Sequence, residues 1–443
     1  MSSSNDYSFH IITLGCPKNR VDSRTMRTQM LLNGFQEADE PQKADFVIIN
    51  SCSFIREAQE ESIQTTFEAL NIKQDKKTFV GLVGCFPERF QEAIENEIPE
   101  IDFTMGTGRY HQLPQVIEEK FSIQLKPGKN WQPASSETTS YTFFRIARGC
   151  SRKCSFCVIP AIRGPYTPYS IDEISEQFEL ETKLRSTASF AAPLKEAILV
   201  SQDTVSSGAP NIEQVVEYFQ KKESIEWIRL HYLFPDPRIF DILDLFPKYN
   251  KLVSYLDIPF QHVSPKILRS MNRPDNVEIH KEIIDRALQV RPDMELRTAF
   301  ILGYPGETET DVEQIRTFIQ TSGIQKVSFF TYSAEEGTAG FELDDNIPYE
   351  EKVSRVNYLR DEHLKSRKLK RESLIGTLGN LLIDEITTEE IIARRPQDSP
   401  EIDEVVFIPK GNMDVAVGDF IKARLLTPME YDWLGEFVPD KKT

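Results

Sequence analysis

Short apolar runs and longer amphipathic stretches alternate in the first part of the chain, and three of these runs end in a cysteine. The runs FHIITLG, DFVIINS and TFVGLVG are followed directly by Cys16, Cys52 and Cys85. Alternation of strands with helical stretches is typical of a parallel sheet with crossover helices. Because the ligand crevice of such a sheet lies beyond the carboxyl ends of its strands, we expect the three cysteines to converge in space.

The central part of the chain repeats this alternation in a longer series. Strand-like runs recur with helical stretches between them: YTFFRIARG, AILVSQD, WIRLHYLF, SYLDIPFQH, LRTAFILGYPGE and KVSFFTYS. These units predict an α/β fold with an incomplete parallel barrel of the (β/α)6 type. Functional side chains are then expected at the carboxyl ends of the barrel strands.

The last part of the chain has a different pattern. A charged run punctuated by Leu and Val, from Glu350 to about Lys370, predicts a helix that leads out of the barrel. From Leu374 onward, short alternating apolar segments predict a small all-β barrel of the OB-like size class. The polar stretch 126–140, with Pro, Gly and Ser, predicts a linker. These patterns divide the chain into three expected domains, 1–128, 136–370 and 371–443.

Composition narrows the class of protein. With 443 residues, 40% hydrophobic and 27% charged, the chain has the composition of a globular protein of two or three domains. No apolar run approaches the roughly 20 residues of a membrane span, and the N-terminus has no secretion signal. A cytoplasmic protein without a membrane partner is therefore expected. The net charge of -17 argues against general electrostatic adhesion to nucleic acid.

The second group of cysteines lies in the sequence RGCSRKCSFC, where Cys150, Cys154 and Cys157 have the spacing CxxxCxxC. Disulfides rarely persist in the cytosol, so thiolate ligation of a metal is the leading interpretation. Three soft sulfur ligands in a tight loop can hold three corners of an iron–sulfur cubane and leave one iron open for a chelating cosubstrate. The alternative is a zinc site, which normally needs four ligands and paired CxxC motifs.

The loop resembles the radical S-adenosylmethionine superfamily, because Phe156 places an aromatic residue before the last cysteine. The passages GCPKNRVDS, NSCSFIREAQEES and GLVGC resemble the methylthiotransferases within it, and SCSFI, YLDIPFQH, FILGYPGET and SPEIDEVVFI resemble the RimO-like branch. The resemblance covers nearly the whole chain. It implies a C-terminal TRAM domain for substrate docking and a Phe156 ring near the adenine of S-adenosylmethionine; a plain core aromatic is the alternative for Phe156.

This resemblance implies two 4Fe-4S clusters, one on Cys16, Cys52 and Cys85 and one on the CxxxCxxC loop. A first S-adenosylmethionine would supply the methyl group of a methylthio unit at the N-terminal cluster. A second would be cleaved to a 5′-deoxyadenosyl radical, which takes a hydrogen from the β-carbon of an aspartate in small-subunit ribosomal protein S twelve. An electron donor such as flavodoxin or ferredoxin is implied as a partner.

Two alternatives share much of this pattern. The tRNA methylthiotransferase that acts on isopentenyladenosine beside the anticodon has the same two clusters. From Leu374 onward, however, 14 acidic side chains face 7 basic ones, whereas an RNA-docking domain should be basic. The second alternative is an iron–sulfur protein that binds clusters without catalysis.

Three further polar residues are candidates for binding the cosubstrate. Gln202 and Asp203 follow the second barrel strand, where its ribose or amino group would lie, although turn residues are common there. Arg297 begins the fifth strand and could hold a carboxylate with two hydrogen bonds; a salt bridge is the alternative.

Overall fold

The structure, a computed structural model, describes residues 7–75, 78–127, 139–187, 192–206, 208, 211–274 and 276–439. Most of the predicted linker at 126–140, with the limits at 128 and 136 of the first two expected domains, lies outside the described residues. No helix within the described ranges has the length and apolar character needed to cross a membrane.

The N-terminal domain is a five-stranded parallel sheet in the order β2-β1-β3-β4-β5. Its strands are β1 Ser8–Thr13, β2 Gln36–Glu37, β3 Phe46–Ser51, β4 Phe79–Gly84 and β5 Phe103–Met105. Its α-helices are α1 Pro17–Leu32, α2 Arg56–Asp75, α3 Cys85–Glu97 and α4 Leu113–Phe121, with 3-10 turns at Pro41–Lys43 and Tyr110–Gln112. The prediction of a parallel sheet for this region is confirmed.

The central strand β3 explains why the sheet is covered on both faces. All six of its residues are buried, and alternate side chains enter different apolar clusters. Phe46 and Ile48 pack with residues of α1 and α4, whereas Val47 and Ile49 pack with residues of α2 and α3. Helices therefore lie on both faces, and the edge at the strand ends is left for function.

The central domain is an open half-barrel of six strands, which form two three-stranded parallel sheets in the orders β6-β9-β10 and β11-β12-β13. They are β6 Tyr141–Arg145, β9 Glu196–Val200, β10 Trp227–Leu230, β11 Tyr255–Asp257, β12 Glu295–Leu302 and β13 Lys326–Thr331. The helices around it are α5 Ile159–Arg163, α6 Ile171–Thr187, α7 Ile212–Gln220, α8 Ile239–Leu243, α9 Pro265–Ser270, α10 Val277–Val290 and α11 Glu309–Ser322. A short antiparallel ribbon, β7 Ala147–Arg148 with β8 Thr167–Pro168, follows β6. The incomplete barrel is confirmed.

Helix α1 links the two domains by covering the edge strand β6. Val21 of α1 packs with Tyr141 and Phe143 of β6. Arg24 donates a hydrogen bond of 2.6 Å to the backbone oxygen of Phe143, which lies on the open edge of the sheet. Helix α1 therefore serves both as a layer of the N-terminal domain and as a wall of the half-barrel.

The C-terminal part begins with α12 Tyr349–Ser373, as the sequence predicts, and continues into a closed five-stranded barrel. Its strands are β14 Leu378–Ile386, β15 Glu390–Arg394, β16 Val406–Pro409, β17 Phe420–Pro428 and β18 Trp433–Phe437. The segment between β15 and β16 holds this small barrel against the half-barrel, because Asp398 accepts a 2.7 Å hydrogen bond from buried Lys326 of β13. Buried Arg394 of β15 similarly pairs with Glu196 of β9 at 2.7 Å.

Candidate functional site

The N-terminal cysteines meet at one edge of the first sheet. Cys16, Cys52 and Cys85 follow β1, β3 and β4, which are neighbours in the sheet, so the strand ends bring the thiols to the same place. Gly15, at φ +82°, lies so close to Cys52 that a Cβ on it would come within 2.9 Å of the Cys52 Sγ. The convergence expected from the strand ends is present.

A buried ion-pair network supports this edge. Arg163, at the end of α5, donates to the Cys85 Sγ at 3.2 Å, to the Asn19 Oδ1 at 2.7 Å and to the Asp22 Oδ2 at 2.9 Å. Asp22 also accepts a hydrogen bond from Arg145 of β6. The N-terminal cysteines are thus connected through Asp22 to the half-barrel that carries the other three.

The thiols of this first set differ in acidity. Burial raises the pKa of Cys52 to about 12, and the nearby Cys16 and Cys85 contribute to the increase. Burial also raises the pKa of Cys85, although Arg163 opposes the shift. For Cys16, burial is outweighed by the cations of Lys18 and Arg163, which lower the pKa. Two of the three thiols therefore need a bound metal to lose their protons near neutral pH.

The second set of cysteines lies in a loop closed at its base by the β7–β8 ribbon. Gly149 has φ +68°, and a Cβ there would come within 2.2 Å of the Pro165 carbonyl oxygen, so glycine is required. The Cys150 N–H donates to the Gly164 oxygen at 3.0 Å. The loop therefore starts in a fixed direction immediately before its first thiol.

Contacts with several barrel strands fix the rest of the loop. Arg152 donates to Asp203 after β9 at 2.7 Å and to Asp236 after β10 at 2.5 Å. On the other side, the Ser155 N–H donates to the Met271 oxygen at 3.0 Å. Burial raises the pKa of Cys150 to about 11 and that of Cys157 to about 12. These thiols, too, ionise most easily when a metal binds them.

The donor chemistry of both sets fits iron–sulfur clusters. All six cysteines are free thiols, and no group of three Cys, His, Asp or Glu side chains in the described ranges is arranged to hold a single metal ion. In a cluster, each thiolate binds a different iron, and soft sulfur ligands favour such clusters. The glycine before Cys16 leaves a space near the Cys52 thiol that a side chain would fill.

Two of the cosubstrate candidates have no polar partner that fixes them. Both amide atoms of Gln202, which follows β9, are buried and have no hydrogen-bond partner within the described part of the chain, which suits a residue that binds a polar ligand. Phe156, in the second cysteine loop, packs beside Met271 and Tyr304. Binding of the cosubstrate by either residue stays a prediction.

The other two candidates already have protein partners. Asp203 is engaged by Arg152 and accepts a 2.6 Å hydrogen bond from Ser206. Arg297 donates to Asp403 of the C-terminal barrel segment at 2.7 Å and to Ser328 at 2.7 Å. Asp203 therefore anchors the loop, and Arg297 anchors the C-terminal barrel; binding of the cosubstrate by either stays a prediction.

Sequence reasoning missed three residues of this region: Lys18, Asp22 and Tyr232. Lys18 and Asp22 are buried on α1, and the Lys18 Nζ lies 3.1 Å from the centroid of the Tyr232 ring. The signal for the first two was present in GCPKNRVDS, since charged residues in the first turns after a ligand cysteine lie near the metal. Nothing in the local pattern indicated Tyr232.

Three family models match successive parts of the chain. Residues 8–106 match the uncharacterized protein family UPF0004, residues 144–319 match the radical SAM superfamily, and residues 375–438 match the TRAM domain. These matches coincide with the five-stranded sheet, the half-barrel and the small closed barrel.

Full-length relatives are also found. The chain is 38% identical to ribosomal protein uS12 methylthiotransferase RimO of Leptospira biflexa, with 97% of each chain covered. It is 33% identical to the protein of that name from a Thermoanaerobacter species, with 96% of this chain and 99% of the relative covered. Among solved structures, the radical S-adenosylmethionine methyltransferase TsrM of Kitasatospora setae is similar in fold, with a TM-score of 0.55, 12% identity, and 74% of this chain and 73% of TsrM covered.

Proposed function

Because this chain belongs to the RimO family of ribosomal protein uS12 methylthiotransferases, we propose that it adds a methylthio group to the β-carbon of an aspartate in that ribosomal protein. It is a radical S-adenosylmethionine transferase, and the superfamily uses S-adenosylmethionine and a 4Fe-4S cluster. Its substrate is made in the cytosol, so we propose a cytoplasmic location.

The two cysteine sets have different roles in this proposal. Cys150, Cys154 and Cys157 hold the cluster at which S-adenosylmethionine is cleaved, with Phe156 and Gln202 beside the adenosyl group. A second cluster is held by the N-terminal cysteines. The observation that supports this assignment is the connection, through Asp22, of the N-terminal set to the half-barrel that carries the second set: Asp22 pairs with Arg145 of β6 and with Arg163 beside Cys85. Both sets can then serve one substrate carbon.

The net reaction would consume two molecules of S-adenosylmethionine and one sulfide. One S-adenosylmethionine would methylate the sulfide and leave as S-adenosylhomocysteine, and the other, after taking one electron from the reductant, would yield methionine and the 5′-deoxyadenosyl radical. One hydrogen of the aspartate β-carbon would leave in 5′-deoxyadenosine, the methylthio sulfur would bond to that carbon, and the electron released in forming this bond would pass to the iron–sulfur centre. A flavodoxin or ferredoxin is the proposed electron donor.

The test is reconstitution of the protein with iron and sulfide without oxygen, followed by incubation with purified uS12, S-adenosylmethionine and a reductant. Intact-mass analysis should show uS12 heavier by about 46 Da, the difference between a methylthio group and hydrogen. If uS12 is unchanged while isopentenylated tRNA acquires a methylthio group, the proposed substrate is wrong.

A matched pair of variants tests whether the two cysteine sets have separate roles. Cys52→Ala should abolish methylthio transfer and retain some 5′-deoxyadenosine formation, because the cleavage site is intact. Cys154→Ala should abolish both. If Cys52→Ala also forms no 5′-deoxyadenosine while its second cluster is spectroscopically intact, separate roles for the two sets would be excluded.

A further inference from the structure

Lys18 is a buried cation that forms no ion pair with a carboxylate among the described residues. It is 8% exposed and lies in the first turn of α1, two residues after Cys16, whose thiol is its nearest acidic neighbour along the chain. Its Nζ lies over the face of the Tyr232 ring, 3.1 Å from the centroid. A buried ammonium group is costly unless it is paired, so the position favours a carboxylate supplied from outside the chain.

The neighbouring arginines already have a carboxylate partner, which they share. Arg145 and Arg163 both pair with Asp22. Asp257 is near enough to act electrostatically on Lys18, but its Oδ2 accepts a hydrogen bond of 3.2 Å from the Tyr232 N–H and forms no ion pair with Lys18. Among the described residues of this network, Lys18 is therefore the cation that has no ion pair with a carboxylate.

The ring beneath Lys18 is held in a strained conformation. Tyr232 has φ +59°, which is unusual for a bulky residue. Its backbone is fixed on both sides, since its N–H donates to Asp257 and its oxygen accepts from the Thr204 N–H at 3.1 Å. Strain of this kind persists where the surrounding structure enforces it, often at functional sites. Here it turns an aromatic face toward the lysine and keeps the ammonium group in place.

Lys18 also lies between elements that carry the two cysteine sets. It follows Cys16 by two residues, and the Tyr232 ring that it contacts belongs to the segment after β10 that also holds Asp236, the partner of Arg152 in the second cysteine loop. An anion bound to Lys18 would therefore lie close to both. The substrate aspartate carries such an anion, and its carboxylate carbon is bonded directly to the β-carbon.

Resting on the proposed function, we propose that Lys18 binds the side-chain carboxylate of the substrate aspartate and so holds the β-carbon between the two cysteine sets. The Tyr232 ring fixes the direction of the ammonium group. Discrimination between aspartate and asparagine follows, because an amide oxygen can accept a hydrogen bond from the ammonium group but carries no charge to form the ion pair.

The experiment measures binding of labelled uS12 to the reconstituted protein by fluorescence anisotropy, with the target residue as aspartate or asparagine. We expect the wild type to prefer aspartate by about tenfold or more, since asparagine lacks the charge that pairs with the ammonium group. The Lys18→Met variant keeps a side chain of similar length and removes its charge, so it should bind the aspartate and asparagine forms of uS12 equally. Lys18→Arg should restore part of the preference.

Two control measurements exclude other causes. The iron content of Lys18→Met should equal that of the wild type, and its melting temperature should not fall, since an unpaired buried charge has been removed. The affinity for S-adenosylmethionine, measured by calorimetry, should also be unchanged.

Two outcomes would overturn the proposal. If Lys18→Met keeps the preference for aspartate, Lys18 does not bind that carboxylate. If it loses affinity for S-adenosylmethionine instead, the carboxylate at Lys18 belongs to the cosubstrate. Failure of the wild type to bind or modify uS12 would be a different result, and it would reject the proposed function together with this inference.

Discussion

At the scale of single residues, a glycine of positive φ precedes a ligand cysteine in three places. Gly15, Gly84 and Gly149 have φ values of +82°, +100° and +68°, and they come immediately before Cys16, Cys85 and Cys150. Each would bring a Cβ within 3 Å of a neighbouring atom. The dipeptide GC therefore combines a backbone turn with a ligand, and glycine lets the thiol approach its neighbours.

A substitution at the first of these glycines should affect one cluster. In Gly15→Ala, the new Cβ would meet the Cys52 thiol at 2.9 Å, so we expect iron per chain to fall from about eight atoms to about four. Gly323→Ala is the matched control, because Gly323 has φ +73° and a Cβ there would meet nothing within 4 Å. Iron and sulfide analysis after reconstitution distinguishes the two; equal iron contents would show that the thiol does not need this space.

The acidity of His363 predicts a pH dependence of stability. Burial and Arg367 lower its pKa from 6.5 to about 4. Its Nε2 lies 3.0 Å from the backbone carbonyl oxygen of Gln325. As the pH falls below 6.5, His363 becomes protonated in the unfolded chain but stays neutral in the folded protein. Stability is therefore lost between pH 6.5 and 4, by about 2 kcal/mol at pH 5.

The variant His363→Gln tests this linkage, because glutamine can keep the donor to Gln325 without titrating. Urea unfolding at pH 7 and pH 5 should show a smaller acid-induced loss in the variant than in the wild type. Identical losses would assign the pH dependence to other groups, such as His231, whose pKa burial also lowers.

At the scale of elements, the end of β15 and the segment that follows it attach the small barrel to the half-barrel. Glu196 of β9 accepts hydrogen bonds from Arg229 at 2.6 Å and from Arg394 at 2.7 Å, and all three side chains are fully buried. Buried ion pairs add little net stability when complete, but removal of one partner is expensive. These buried pairs therefore fix the position of the small barrel on the half-barrel more than they add to its stability.

Glu196→Gln should destabilise the protein by about 3 to 5 kcal/mol, since two buried guanidinium groups then share a neutral partner. Urea unfolding measures the loss, and hydrogen exchange should increase in residues 395–404. The control is Glu217→Gln, which breaks the exposed pair with Lys221 and should change little. A similar effect of both substitutions would show that the Glu196 network does not hold the small barrel.

The strands predicted from the sequence can be compared with those of the structure. Periodicity located every barrel strand, but it extended WIRLHYLF to Phe234 although β10 ends at Leu230. The difference arises because the chain turns sharply at Tyr232, and hydrophobic pattern carries no information about a positive φ. Arg297 illustrates the same limit, since its partner Asp403 lies 106 residues away. The positions of Cys16, Cys52 and Cys85 could be predicted, because these cysteines follow neighbouring strands of one parallel sheet; their role as cluster ligands stays a prediction.

At the scale of the whole molecule, the acidic charge of the C-terminal barrel is partly used internally. Five of its carboxylates pair with arginine or lysine: Asp384, Asp398, Glu401, Asp403 and Glu404. Other acidic residues remain exposed, including Glu385, Glu389 and Glu390 around the turn between β14 and β15. The exposed face is thus still acidic and suited to a basic ribosomal protein.

This surface predicts that binding of uS12 weakens with salt. Between about 50 and about 300 mM NaCl the dissociation constant should rise severalfold, since exposed charges are screened at these concentrations. Neutralising the exposed acids of the β14–β15 turn to glutamine should weaken binding and flatten the salt dependence. The control neutralises three exposed acids of α3, and these are Glu92, Glu95 and Glu97. Equal effects of the two triple variants would place docking elsewhere.

Helix α1 is part of both the N-terminal domain and the wall of the half-barrel, and this has a consequence for degradation of the protein in the cell. Cys16 immediately precedes this helix, and Val21 and Arg24 of the same helix cover the edge of the half-barrel. If the N-terminal cysteines hold a cluster as proposed, its binding and the closure of the barrel form one linked equilibrium, in which the bound cluster would stabilise the closed form. Under iron starvation we then expect the barrel wall to open more often and empty chains to be degraded before filled ones.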